Sequence, residues 1–373
     1  MKVKDICLYL DSVIPLLYQE SYDNSGLQSG DPESEISSAL LALDVTEAVV
    51  EEASFKNCGL IITHHPVIFH PLKSLSGKSQ SEKIIIKALK ENIAIYSSHT
   101  CLDVFTENVS KKMAEKLSLT NLEILSPLEN TLLKLVTFVP EDYAEKVRDA
   151  IFNAGAGVIG NYDMCSFNAE GYGTFRGNES SNPFLGERGK LYRGKEVRIE
   201  TILPLHLKDK VIKSMLAVHP YEEVAYDIYP LAISNPQRGL GCIGELTYPL
   251  KEKEFINMLA RAFDVQIIRY SSPSDIKVRK VALCGGAGAS LTNVAVGAGA
   301  NAFVTSDLKY HDFFNAGDNI LLADIGHYES EIFSLEILYN IIKKKFINFA
   351  LQFSEIKTSP IKYYYNGKVK STG

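Results

Sequence analysis

The sequence predicts an α/β core interrupted by an inserted α+β domain. Three observations predict it. Short apolar runs alternate with helical patterns through the first third, the same grammar returns in the last third, and from about 130 to 235 the character changes to strands rich in Tyr, Phe and Gly.

The elements follow in order. MKVKDICLYLDSVIPLLYQE reads as an amphipathic helix with Leu8, Val13, Leu16 and Leu17 inward, and it has no apolar signal core. SSALLALDVT is then a strand, EAVVEEASFKN a helix, GLIIT a strand, SEKIIIKALKEN a helix, IAIYSSHT a strand and NVSKKMAEKLSL a helix. Nearly continuous apolar strands between such helices indicate βαβ units and a sheet covered on both faces. TLLKLVTFVP, EDYAEKVRDAIFNAGAG, the Tyr- and Gly-rich strands, LKDKVIKSMLAVH and VAYDIYPL give β-α-β-β-α-β, the order of a ferredoxin-like unit. Its exposed boundaries fall near Pro127 and near SNPQRG, which divides the chain into core 1–128, insert 129–236 and core 237–373. After the insert, KEKEFINMLARAF is a helix, VRKVALCGG, NAFVTSD and NILLADIG are strands, and YESEIFSLEILYNIIKKKF is the closing helix.

Composition narrows the function classes. A chain of 373 residues, 46% hydrophobic and 23% charged, is ordinary for a globular enzyme. The net charge of -6 gives no electrostatic reason to expect nucleic-acid binding. The one basic run, IIKKKF, suits a solvated helix C-terminus. Six scattered cysteines without a C-x-x-C pair point to a reducing compartment, against a disulfide scaffold and against a thiolate zinc site. Nothing approaches the roughly 18 apolar residues of a membrane span. The expected location is the cytoplasm.

The histidines carry the functional signal. In GLIITHHPVIFH, His64 and His65 stand where an apolar strand meets a loop. Neighbouring side chains of an extended chain point to opposite sides, so the pair can serve two ions if the backbone turns between them. Two loop histidines of no special role remain the alternative. In SSHTCLDVF, His99 and Asp103 follow the next strand. Imidazole with carboxylate suits Zn²⁺, Mn²⁺ or Fe²⁺, while Asp103 also suits a helix N-cap. In ADIGHYESE, His327 and Glu331 share a helix face at i and i+4, where a polar first turn is the plain alternative. Taken together, three strand ends each presenting imidazole or imidazole plus carboxylate have the composition of a closely spaced two-metal site. CGGAGAS follows a strand and precedes an apolar helix, so its amides are placed to cradle a phosphate. It completes neither the G-x-G-x-x-G nor the P-loop pattern, and a tight strand–helix turn serves as well.

SYDNSGLQSG, LLALDVTEAVVEEA, LIITHHPVIFHPLKSL, SSHTCLD, VALCGGAGAS, VTSDLKYHD and ADIGHYESE together resemble the NGG-interacting-factor-three-like family, also called GTP cyclohydrolase 1 type 2 homologues. HPYEEVAYDIYPL resembles the CutA- or PII-like insert of its longer bacterial members. The resemblance implies a two-lobed α/β core around a dinuclear metal site, in a toroidal homohexamer. Its implied ligands for two divalent ions, Zn, Fe or Mn, are His64, His65, Asp103, His327 and Glu331, with His99 lining the site or ligating. Asp23 and Asn24 are implied to line the same crevice. Two departures are visible: Tyr22 stands where the family has Trp, and Cys101 where Asn is common.

Two such ions about 3.5–4 Å apart activate water and clamp a substrate oxygen, which makes a metal-dependent hydrolase the expected activity. The implied reaction is ring opening of GTP with release of formate, and a phosphate compound or nucleotide is the expected ligand. His311 is the acid/base or substrate-contact candidate beside His99, because imidazole serves both roles near pH 7. The alternative is a metal-binding regulatory or scaffold protein whose insert senses a ligand without turnover.

Overall fold

The computed structural model describes residues 1–364 except Ser272, Ser274, Asp275 and Asn319. The first residue of NILLADIG and the chain beyond Tyr364 therefore lie outside the described residues. The chain divides into two compact units, Met1–Ser126 with Leu240–Gly373, and Pro127–Gly239.

The first unit opens with α1 (Val3–Val13), β1 (Gly26–Ser29), β2 (Ser38–Ala42), α2 (Glu47–Phe55), β3 (Leu60–Thr63), α3 (Gln80–Lys90), β4 (Ala94–Ser97), α4 (Thr100–Asp103), α5 (Val109–Lys116) and β5 (Thr120–Leu128). The second holds β6 (Leu132–Pro140), α6 (Ala144–Asn153), β7 (Ser166–Arg176), β8 (Leu191–Pro204), α7 (Lys208–Val218) and β9 (Tyr226–Pro230). The chain returns to the first through β10 (Asn235–Lys251), α8 (Glu252–Ala262), β11 (Arg269–Tyr270), β12 (Lys277–Leu283), α9 (Thr292–Gly297), β13 (Ala302–Thr305), α10 (Tyr310–Asn315), β14 (Leu321–Asp324), α11 (His327–Glu331), α12 (Ser334–Lys345) and β15 (Ala350–Phe353).

α1 corrects one detail of its sequence reading. It buries Val3, Ile6, Cys7 and Leu10, whereas Leu8 is 64% and Leu17 59% exposed. The stripe at i, i+3, i+4 and i+7 sets the phase of the helix and leaves Leu8 on its far side. Pro15 follows the helix, so Leu16 and Leu17 lie in a separate short turn.

The first unit has two sheets, ordered β1-β4-β3-β2-β15 and β11-β14-β13-β12-β10-β5. β15, β2, β3 and β4 run parallel, as do β12, β13 and β14, while β1, β10 and β11 join antiparallel. β2, β3, β4, β13 and β14 are buried throughout, which is why they read as unbroken apolar runs. Leu40, Ile61 and Ile95 meet α2 and α3 on one face. On the other, Leu41, Ile62 and Tyr96 join a core that runs through α1, α5, α8 and α12 to Val281, Val304 and Ala323 of the second sheet.

The second unit is a four-stranded sheet ordered β7-β8-β6-β9, with all the pairings antiparallel. α6 and α7 both pack on the face that carries Leu133, Leu135, Val139, Val197 and Ile199. The alternate residues Phe138, Glu196 and Arg198 point to the opposite face. Among the described residues no helix is long and apolar enough to cross a membrane, and the six cysteines are unpaired.

Candidate metal centre

Strand ends assemble the centre. β3 leads into His64 and His65, β4 into His99 and the α4 turn with Asp103, and β14 into Gly326 and α11, which carries His327 and Glu331. Strands of both sheets thus deliver these side chains to one crevice beyond their carboxyl ends, where α/β sheets bind ligands.

Each imidazole is tied at Nδ1. His64 donates to the Ser98 carbonyl at 2.9 Å, and His65 to Asp44 Oδ1 at 2.7 Å. His99 donates to Asp23 Oδ1 and His327 to Asp307 Oδ2, both at 2.7 Å. Carbonyls and carboxylates only accept, so Nδ1 carries the proton and the neutral ring keeps its Nε2 lone pair for the interior.

Glu331 occupies the middle and is 3% exposed. Its Oε1 lies 3.7 Å from His64 Nε2, and its Oε2 lies 2.9 Å from His65 Nε2 and 2.8 Å from His327 Nε2. The last two nitrogens are 3.2 Å from each other. Asp103 Oδ1 stands 3.7 Å from His64 Nε2. Two sets of donors result. Ligand atoms of His64, His65 and His99 lie within 4.8 Å of one another, as do those of His65, His327 and Glu331.

The donor set fits a divalent cation. His64 Nε2 and Glu331 Oε2 are buried without a hydrogen-bond partner, although two imidazole nitrogens stand close to Oε2. Leaving such atoms unmatched costs about 1–3 kcal/mol each, which ligation would relieve. Electrostatics agree. Burial disfavours a charged His65, but its hydrogen bond to Asp44 and the adjacent Glu331 carboxylate outweigh it and push the imidazole up to about 10. His327, opposed by burial in the same way, is pushed up to about 9 by Glu331 and Asp307. Burial raises the Asp103 carboxyl above its ordinary value, and His64 only partly counters this. Burial also works against the charge of Glu331, yet the field of His64 and the contact with His327 hold its carboxyl well below the usual range.

The glycine-rich loop serves this centre. Gly286 has φ +65°, and a Cβ there would collide with Glu331 Oε1. The amides of Gly285, Gly286 and Gly288 donate to the hydroxyls of Ser110, Ser330 and Thr305 at 3.2, 2.9 and 2.9 Å. These groups are spent inside the fold, so the phosphate-cradle expectation gives way to a tight turn that makes room for a carboxylate.

The remaining expected residues take different places. The Asp23 side chain is buried and its oxygens are taken up by His99, Thr100 and Ser25, which makes it a support for His99. Asn24 donates to the Ile68 carbonyl at 2.7 Å. His311 is exposed on α10 with its ring against Tyr310 and Phe314, and among the described residues its ring contacts are with these two. Cys101 is fully buried, and burial first of all pushes its thiol up, so no thiolate is offered to an ion. Asp44, Ser98 and Asp307 are supports that the sequence reading did not single out. Asp44 and Asp307 each follow a strand end, and Asp307 has the unusual φ of +56°. A carboxylate just beyond a strand in LALDVT and VTSDLKYHD was the available signal.

Comparison with known proteins gives one consistent result. The family model described as Duf34/NIF3 (NGG1p interacting factor 3) matches residues 1–360. A Halalkalibacterium halodurans protein named GTP cyclohydrolase 1 type 2 homolog is 40% identical over 346 residues, covering 91% of this chain and 93% of that protein. A Bacillus subtilis protein of the same name is 41% identical over 322 residues, covering 85% and 86%. The crystal structure of a Bacillus cereus protein related to NIF3 superposes with a TM-score of 0.86 at 39% identity, covering 98% of this chain and 99% of that one.

Proposed function

Because the chain belongs to the Duf34/NIF3 (NGG1p interacting factor 3) family, we propose that its histidine–carboxylate cluster holds two divalent ions and performs metal-dependent hydrolysis. One observation carries this reading: the two oxygens of Glu331 face different imidazoles, His64 on one side and His65 with His327 on the other, and every ring is tied at Nδ1.

His64, with Asp103, would hold one ion, and His65, with His327, the other, with Glu331 shared between them. Zn²⁺, Mn²⁺ and Fe²⁺ suit this mixture of nitrogen and oxygen donors. When bound, such ions supply Lewis-acid charge and lower the pKa of water to near neutrality. The chain's own residues supply the rest. Asp103 and Glu331 balance the positive charge, while Asp44, Asp23 and Asp307 fix the tautomers of His65, His99 and His327. His99, held by Asp23 beside His64 and His65, is the residue proposed to move a proton through Nε2.

GTP is the substrate proposed first, from the printed name of the relatives, with opening of its ring and release of formate. A homohexamer is proposed with it, which sedimentation velocity reads directly. A second reading, a ligand-responsive metal protein without turnover, is favoured by a cavity within the inserted unit.

Mass spectrometry of metal content tests the site, beside a His64→Ala/Glu331→Gln double variant. About two ions per chain, lost in the variant, are expected. Less than half an ion per chain, unchanged by the variant and by added Zn²⁺, Mn²⁺ or Fe²⁺, would sink the proposal. Formate release from GTP, abolished by His65→Ala, then separates the enzyme from the ligand-responsive protein.

A further inference from the structure

The face of the inserted sheet away from α6 and α7 carries a cavity of about 600 Å³, within the range that takes a small organic ligand. Its floor is built by missing side chains. Gly171 pairs with Glu196 across β7 and β8, and the space above Gly171 is open. Gly173 lies on the same side two residues on. A Cβ there would collide with the Glu196 carboxylate, which is therefore laid flat along the sheet.

The wall is aromatic. Tyr221 stands between Phe175 and Phe184, with ring centroids 6.0 and 6.4 Å away, and Phe138 lines the cavity from β6. Tyr221 is held from two directions. Its hydroxyl donates to Glu196 Oε1 at 2.7 Å, and its amide donates to His219 Nδ1, whose Nε2 donates to the Phe138 carbonyl. The amide of Asn182 donates to Glu222 at 2.8 Å and so ties the β7–β8 loop to the segment that bears Tyr221. Glu196 Oε2 has no hydrogen-bond partner among the described residues. An ordered carboxylate with a free acceptor, set among aromatic rings, is a recognition element for a flat ligand with hydrogen-bond donors.

Charge narrows the ligand. Glu170, Glu196, Glu222 and Glu223 line the cavity against Arg176 and Arg198, and Arg198 is already paired with Glu200 at 2.9 Å. An acidic pocket disfavours a polyphosphate and favours a neutral ring.

We infer that this cavity binds a neutral planar heterocycle whose edge carries adjacent N–H and NH₂ donors, as guanine and 2-amino-4-oxopteridine do. The ring lies along the Phe175–Tyr221–Phe184 wall, and its donor edge meets the Glu196 carboxylate.

Calorimetric titration of the full-length, metal-loaded protein tests it with guanosine, 2-amino-4-oxopteridine and adenosine. At least one of the first two binds at one site per chain, and their ratio identifies the source of the shared edge. Adenosine binds at least about tenfold more weakly, as expected when a charged hydrogen bond is lost. Glu196→Gln lowers affinity about tenfold or more. Gly171→Leu, a strand position without a positive φ that faces open space, abolishes binding while metal content stays at the wild-type value. The inference fails if neither heterocycle gives heat at millimolar concentration, if adenosine binds as tightly as guanosine, or if Gly171→Leu binds normally. It fails equally if Gly171→Leu changes the oligomer mass with no ligand bound, since the face would then be an interface between copies of the chain.

Discussion

At the scale of single residues, the centre depends on groups that do not themselves face an ion. Gly286 is one: its positive φ costs an L-residue about 1–2 kcal/mol, and its missing side chain leaves room for Glu331. Gly286→Ala is therefore expected to lower stability by at least that amount and to cut bound metal below one ion per chain, read by urea denaturation and mass spectrometry. The protons of the metal-free cluster give a second prediction. A histidine whose pKa rises on folding contributes stability that is complete below its unfolded value near 6.5 and is lost as pH climbs through its folded value. His327 and His65, pushed up to about 9 and about 10, should make the EDTA-treated protein lose stability between about pH 7 and 10. The metal-loaded protein should lack that slope, because its imidazoles have already given up those protons. Melting temperatures across this range, with and without EDTA, decide it.

At the scale of elements, the capping of α5 supports the turn that holds Asp103. Asn108 Oδ1 accepts from the Lys111 amide at 2.9 Å as the N-cap of α5, while its Nδ2 donates to the Asp103 carbonyl at 2.9 Å. Asn108→Ala should cost about 1 kcal/mol of stability and weaken metal binding, whereas Asn108→Asp should keep the cap but not the bond to Asp103. Chemical denaturation beside a metal titration separates the two effects. Elements also differ in how far the sequence discloses them. β2, β3, β4, β13 and β14 were legible because burial on both faces leaves an unbroken apolar run. β1 and β15 were not, since their half-exposed residues show no period. The phase of α1 at Leu8 is not legible in the sequence, because two leucines in a short helix admit more than one stripe.

At the scale of the whole molecule, the inserted unit enters between β5 and β10, which are neighbours in the second sheet, with Leu125 against Gly241. Replacing residues 127–239 by a two-residue Asn-Gly turn should leave a folded chain that keeps its metal content and loses the heterocycle site. A cooperative melt with unchanged metal content is the expected result, and an insoluble or metal-free product would show that the first unit needs the second. By itself the sequence determined the alternation of strands and helices and the placing of His64, His99 and His327 at strand ends, because both follow from local periodicity. Only the tertiary structure decided that Ser98, Asp44 and Asp307 orient the imidazoles of His64, His65 and His327, across 34, 21 and 20 residues of chain. It alone decided that a glycine in one loop makes room for a glutamate in another. Such contacts arise from the meeting of strand ends in space, and local periodicity carries no record of that meeting.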